Sequence, residues 1–265
     1  STLYNDERAI ASELNNEQDQ DIARADHALT KAHDDARRRP PSNAMLHFAS
    51  ALDGGPEMLF FDAVRYPDRK LLPAGFFAAE GSLIVRQLLQ LPGYTFAALL
   101  CTENMLQTLS PELAAYEARM TQSSAAAAVA ASKCIVYTAN KSAVATIIGF
   151  KMTALSVVGL LHKPPATSIA LSAFLPTLAI PGGGCRRVLL VLDKVNKPDN
   201  MGALFRSALA FGASGVLLGP GCCDPLVRKC IRSSMGAVFK LPYAHVKSWP
   251  AELNQLRAEG FRLWA

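Results

Sequence analysis

The run VLLVLDKVNKPDNMGALFRSALAFGA, residues 188–213, decides how the rest of the chain is read. Its first five residues, Val188, Leu189, Leu190, Val191 and Leu192, are apolar and branched without a break. That is the pattern of a strand covered on both faces, as in a parallel sheet. The polar residues from Asp193 to Asn200 make a turn, in which Asp199 or Asn200 is suited to cap a following helix through its side-chain oxygen. Met201, Leu204, Phe205, Ala208 and Phe211 then recur at helical spacing and predict one apolar stripe, closed by Gly212 in the left-handed conformation. Residues 215–219, GVLLG, supply the next strand. Strand, helix and strand joined this tightly form a βαβ unit, whose ligand site is expected at the carboxyl ends of the strands.

Two polar residues of that helix each admit two readings. Asn200 is a helix cap or a site residue, capping being the commoner use of an asparagine at such a place. Arg206 lies beside the apolar stripe one turn after Gly202, where a solvated arginine is the ordinary reading. Together Asn200, Gly202 and Arg206 spell Asn-x-Gly-x-x-x-Arg. This pattern resembles the first motif of the SpoU (TrmH-like) family of RNA ribose methyltransferases, of the knotted SPOUT class. Downstream, Asp224-Pro225 and then residues 232–242, RSSMGAVFKLP, are similar to the family's second motif. Two motifs in order at the family's separation are more specific than either alone.

The resemblance covers about the last third of the chain. It implies methyl transfer from S-adenosylmethionine to a ribose 2'-hydroxyl of rRNA or tRNA, by a protein that is a homodimer at full length. Catalytic roles fall to Arg206, Asn200 and Ser234, and cofactor contacts to Gly219, Gly236 and Leu241. An arginine cannot serve as an ordinary base at neutral pH. Arg206 is therefore expected to lower the pKa of the ribose hydroxyl electrostatically and to clamp the adjacent phosphate, at a pocket by the strand ends. The family's third motif, a loop with glycine and glutamate that holds most of the cofactor, would lie past Ala265. Poor binding of S-adenosylmethionine by these 265 residues is the corresponding expectation.

The implied fold is α/β: a SPOUT-type parallel-sheet domain, Rossmann-like with an incomplete knot, preceded by a smaller α/β substrate-binding domain like an RNA-binding ribosomal protein. Residues 1–55 are polar and charged and read as a flexible arm, with the triplet Arg37-Arg38-Arg39 either touching phosphates or marking a charged boundary. Residues 56–163 form the RNA substrate-binding domain, in which residues 82–89 are a helix, residues 94–101 and 134–137 strands, and residues 141–150 a short helix. Arg69, Phe77, Glu80 and Gly81 are similar to that domain in the family, and this assigns Arg69 and Glu80 to RNA. Each also has a purely structural reading, Glu80-Gly81 as a strand-to-helix turn. Residues 123–132, SSAAAAVAAS, read as a spacer. Gly149-Phe150 match the family, but Thr153, Ala154 and Leu155 stand where it has a His-Arg-Gly segment, which puts an RNA contact from that loop in doubt.

Residues 164–186, rich in proline and glycine, read as the linker, although residues 169–175 are apolar enough to pack on a domain. Residues 187–265 are the partial methyltransferase domain. There residues 226–232 are expected as a helix whose Arg228, Lys229 and Arg232 either grip phosphates or form a basic face. Residues 237–241 are expected as the third strand, residues 249–259 as a helix and residues 261–265 as a fourth strand.

A net charge of +5 and a pI near 8.9 agree with a polyanionic partner without requiring one. The six cysteines have no metal-ligand spacing and read as reduced thiols, so no metal is expected. The most apolar stretch, residues 154–180, is broken at His162-Lys163-Pro164-Pro165 and Pro176, which excludes an unbroken membrane span. The acid-rich residues 1–40 do not read as a transit peptide, so the expected location is cytoplasmic, or an organelle if a targeting segment precedes Ser1. Two other function classes compete with methyl transfer. One is an RNA-binding or ribosome-assembly protein on the same scaffold without catalysis. The other is a nucleotide-dependent Rossmann enzyme, disfavoured because the turn after Leu192 has no Gly-x-Gly-x-x-Gly.

Overall fold

The computed structural model describes residues 46–50, 68–122, 134–148, 157–164, 171–178, 187–246 and 249–264. In chain order its first elements are β1 (Leu46–Ser50), α1 (Asp68–Leu71), β2 (Phe76–Glu80), α2 (Ser82–Gln90), β3 (Phe96–Cys101) and α3 (Glu103–Gln122). Next come β4 (Cys134–Thr138), α4 (Lys141–Ile148), β5 (Val157–His162), α5 (Leu171–Phe174) and a 3-10 turn at Leu175–Thr177. The last are β6 (Leu189–Leu192), α6 (Pro198–Ala210), β7 (Gly215–Leu218), α7 (Arg228–Ser233), a 3-10 turn at Ala237–Phe239, β8 (Tyr243–His245) and α8 (Ala251–Ala258). Internal contacts divide the chain into two compact units, residues 1–67 with 97–156, and residues 68–96 with 157–265. Among the described residues no helix is long and apolar enough to cross a membrane.

In the first unit β4 pairs in parallel with both β1 and β3. Leu46–Ser50, which composition assigns to the polar arm, is thus a strand, because LHFAS is locally apolar enough to join a ladder. Helix α3 buries Met105, Leu109, Leu113 and Tyr116, a stripe at spacings of three and four. A cavity of about 480 Å³ opens at the carboxyl ends of β3 and β4, lined among others by Thr102, Glu103, Asn140 and Lys141.

The second unit contains an antiparallel pair, β2 with β5, whose register runs from Phe76↔His162 to Glu80↔Val158. Gly81, at φ 89°, turns the chain from β2 into α2, and its N–H donates to the Val157 carbonyl at 3.0 Å. A glycine is needed there because an L side chain at that φ would meet the backbone. Helix α2 buries Ile84, Val85, Leu88 and Leu89. The same unit holds a parallel sheet in the order β6-β7-β8. Its two faces are covered by different helices. Phe205 of α6 meets Tyr243 of β8 edge-on at 5.6 Å, while Leu217 and Ala244, on the opposite face, pack with Leu171, Phe174, Leu175 and Leu256. The apolar part of the proline-rich stretch therefore packs on this sheet, as its composition predicts.

Six local expectations change. First, β6 is half-buried rather than covered on both faces, and Val188 is 57% exposed, because among the described residues β6 is the edge of its sheet. Second, α6 begins at Pro198, with Lys197 in the capping position and no side-chain cap. Proline fixes the helical φ at the first position, so Asp199 and Asn200 fall inside the first turn. Third, Phe211 is 90% exposed, since α6 ends at Ala210 and the apolar stripe with it. Fourth, residues 237–241 are a 3-10 turn and its exit, with the Leu241 N–H on the Ala237 carbonyl, and the strand follows at Tyr243–His245. Left-handed conformations at Met235 and Gly236 bend the chain just before that apolar run, and a short apolar run alone does not tell turn from strand. Fifth, residues 261–264 have no ladder. Phe261 and Leu263 pack on the core while Trp264 is exposed, which gives a strand's alternation without its hydrogen bonds. Helix α7 also starts two residues later than expected, at Arg228, because the Asp224 carboxylate holds the Leu226 N–H at 2.9 Å in a turn. The spacer at residues 123–132 and the Gly149 segment lie outside the described residues.

Candidate active site

The two motifs meet where α6 packs on α7. The helices come close because Gly202 faces α7. A Cβ at Gly202 would collide with the Ser233 hydroxyl and stand 2.6 Å from the Cys230 carbonyl and 2.8 Å from the Ser234 nitrogen. The glycine of Asn-x-Gly-x-x-x-Arg is therefore a packing requirement. Across this contact the Arg206 guanidinium, exposed to solvent, donates from Nη1 to the Ser233 carbonyl at 3.1 Å. A cation is well placed there, since the last carbonyls of a helix carry partial negative charge. Arg206 is eight residues into α6, about 12 Å along its axis at 1.5 Å per residue, so it sits beside the second motif rather than at the strand ends.

Just past Ser233 the backbone takes an uncommon course. Met235 and Gly236 both have positive φ, 53° and 81°, and Met235 is exposed. Ser234, 1% exposed, donates its hydroxyl to the Ile231 carbonyl at 2.9 Å and its N–H to the Cys230 carbonyl at 2.9 Å. The structure brings Arg206 and Ser234 to adjoining positions. Asn200 is exposed, is no cap, and makes no bond to either of them.

The three residues expected at the cofactor stand on the same sheet and its flank. Gly219 follows β7, with its N–H on the Leu192 carbonyl at 2.7 Å, and a Cβ there would come within 3.2 Å of the Trp249 ring. Gly236 lies under Gln87 and Ile84 of α2, and Leu241 is buried. At the carboxyl ends of the strands Asp193, Lys194, Pro220 and Gly221 are exposed. His245 closes β8 there. Burial holds its imidazole below the ordinary value of 6.5; Asp224 opposes that shift, and Lys163 adds to it.

The residues expected at RNA divide into two kinds. Lys229 and Arg232 are exposed on α7, Lys229 in a solvated pair with Asp199 at 3.1 Å. Arg228 and Glu80 pair with each other at 3.1 Å, largely screened from water. Composition had not foreseen this pair, nor that of Lys163 with Asp224 at 2.7 Å, since the partners are far apart in sequence. Arg69 lies in α1. Among the described residues no group of acidic, histidine or cysteine side chains forms a metal site.

A parallel sheet flanked by helices, with an arginine of one helix held against the turn after the next, defines an α/β domain. Residues 187–265 match the SpoU rRNA Methylase family. An uncharacterized tRNA/rRNA methyltransferase of Mycobacterium tuberculosis is 32% identical over 205 residues, 76% of this chain and 60% of that protein. The 23S rRNA (guanosine(2553)-2'-O)-methyltransferase RlmP of Bacillus subtilis is 35% identical over 78 residues, 29% of this chain and 31% of that protein. Among solved structures, the AdoMet-bound rRNA methyltransferase from Sinorhizobium meliloti has a TM-score of 0.57 at 23% identity, covering 81% of this chain and 69% of that one. The SpoU methyltransferase AviRb from Streptomyces viridochromogenes gives 0.53 at 21%, covering 78% and 68%. The fold is that of these enzymes. The chain spans 60% of the length of the mycobacterial relatives.

Proposed function

We propose that the protein is an S-adenosylmethionine-dependent methyltransferase acting on a ribose 2'-hydroxyl of rRNA or tRNA. The observation that carries this reading is the Arg206–Ser233 contact, which holds the cation of the first motif against the turn of the second. A guanidinium there has donors left for a phosphate and a ribose oxygen, and its charge favours the ionised hydroxyl. Asn200, free of any capping duty, is available to orient the sugar. Positioning is then the main contribution of these side chains. The Bacillus subtilis relative, named as a 2'-O-methyltransferase, supports the choice of atom.

S-adenosylmethionine, when bound, supplies a methyl group on a positively charged sulfur. The residues present fit such a group. Bare main chain at Gly221 and the exposed carboxylate of Asp193 would meet it, with buried Gly219, Gly236 and Leu241 shaping the loops from within. Lys229 and Arg232 are the cations proposed to meet RNA phosphates, and a second copy of the chain is the proposed partner in the full-length protein. The decisive experiment transfers a labelled methyl group to rRNA and tRNA with the full-length protein. An alkali-resistant dinucleotide is the expected product, and Arg206→Ala is expected to lower the rate about a hundredfold or more. Label in a base instead of the ribose overturns the reading. A second reading, RNA binding without catalysis, is favoured by one observation, the burial of Ser234 with its hydroxyl donated inward. RNA binding without label transfer would select it.

A further inference from the structure

We propose that Arg228, which its cationic neighbours Lys229 and Arg232 would group with RNA contacts, is a positioning residue: with Lys163 it anchors residues 224–239 onto β2, α2 and β5 and so fixes the turn at Ser234, Met235 and Gly236. This rests on the methyltransferase reading for its purpose, though not for its test. The anchoring is seen at four places within one compact unit. At the start, Lys163 after β5 holds the Asp224 carboxylate at 2.7 Å, while the other Asp224 oxygen fixes the Leu226 N–H. At the head of α7, the Arg228 guanidinium lies between two carboxylates, with Nη1 3.1 Å from Glu80 Oε1 and Nε 3.4 Å from Asp68 Oδ1. At the far end, the Phe239 ring packs at 5.8 Å from Phe77 and 5.2 Å from Tyr94. In between, Gly236 lies so close under the Gln87 side chain that an added Cβ would collide with its carbonyl oxygen.

The local electrostatics separate Arg228 from its neighbours. It is 20% exposed and Glu80 14%, whereas Lys229 is 59% exposed. One cation flanked by two carboxylates presents no net positive charge, and a phosphate entering there would have to displace Glu80 from a partly desolvated pair. Lys229 faces no such barrier, since exposed pairs are weak. The turn being held needs holding: two successive residues at positive φ, one of them methionine, persist only where the surroundings over-determine them.

The test is hydrogen exchange on the 265-residue chain, followed by binding of a ribosomal RNA hairpin over a range of salt. Arg228→Ala, and the isosteric Glu80→Gln, are expected to speed exchange of amides 234–241 roughly tenfold, with Arg228→Lys restoring part of the protection. The double variant Lys229→Ala, Arg232→Ala leaves those amides unchanged and weakens RNA binding, with a shallower dependence on salt. Arg228→Ala keeps the parent's salt dependence. Unchanged exchange at 234–241 in both Arg228→Ala and Glu80→Gln overturns the anchor. A fall of about one in the salt slope for Arg228→Ala gives the arginine to RNA and overturns it equally. If Arg228→Ala speeds exchange throughout the chain, Glu80→Gln, which keeps the shape, decides. A parent that binds no RNA tells against the methyltransferase reading, and the exchange result still stands or falls alone.

Discussion

Replacing Gly202 by alanine sets two physical effects against each other within a single methyl group. Position 202 is inside α6, where alanine is favoured over glycine by about 1 kcal/mol. Yet the new Cβ would stand 2.6 Å from the Cys230 carbonyl and 2.8 Å from the Ser234 nitrogen, both backbone atoms of α7 and its cap that no side-chain rotation can move. Relief requires the helices to separate, and overpacking of this kind costs about 1–3 kcal/mol or more. Separation also stretches the 3.1 Å bond from Arg206 to the Ser233 carbonyl, which, being exposed to solvent, adds about 1 kcal/mol or less. Packing therefore outweighs propensity, and Gly202→Ala is expected to be less stable by about 1–3 kcal/mol. Urea unfolding followed by tryptophan fluorescence is the assay. Both tryptophans, Trp249 and Trp264, belong to the second compact unit, so the signal reports on the unit that holds α6 and α7. Adding Ser233→Ala removes the hydroxyl clash but not the backbone ones, so it restores only part of the loss. A midpoint equal to or above the parent's would refute the reasoning, since helix propensity would then have won and the two helices would not be in enforced contact.

Three further outcomes are expected. His245 is held below its ordinary 6.5 by burial, so the unfolded state takes up the proton first on acidification; stability is full above pH 6.5 and declines as pH falls from there towards the folded value. His245→Gln should flatten that part of a stability–pH curve, and an unaltered slope between pH 7 and 5 would count against it. Phe239→Ala removes a ring wedged between Phe77 and Tyr94 and should cost about 3–5 kcal/mol in the same urea assay, a loss under 1 kcal/mol contradicting the packing described. With iodoacetamide at pH 8, Cys222 should be modified first of the five described cysteines. Burial pushes Cys101 and Cys134 up to about 12, Cys223 up to about 11, and Cys230 up as well. Peptide mass spectrometry showing Cys223 labelled ahead of Cys222 would reverse the order.

The strand, turn and helix at residues 188–213 were legible because period and branching are local properties, and so were the two motifs. What failed was equally local in origin. Asn200 looks like a cap until Pro198 is given its due, since a proline that sets the first helical φ shifts the cap to Lys197. Residues 237–241 carry a strand's apolar run, and only the two left-handed residues before them, one a methionine that no propensity would choose, convert it to a turn. Arg228 illustrates the deeper limit. Three cations in five residues look alike in sequence, and what distinguishes this one is a carboxylate 148 positions away. Conversely, the resemblance named Gly202 and Gly236 without a reason, and the structure supplies one in each case: another segment occupies the space of a side chain.

The exposed side of β6 has a consequence for handling the protein. Leu189 to Leu192 offer a row of peptide groups with no ladder partner on that side among the described residues, flanked by Val188 in solvent. Such a row is a growth front, on which a second chain can stack strand to strand. Where that side stays uncovered, strand addition from another chain would show as concentration-dependent light scattering. Val188→Lys, a gatekeeper charge at an exposed site, should lower that scattering.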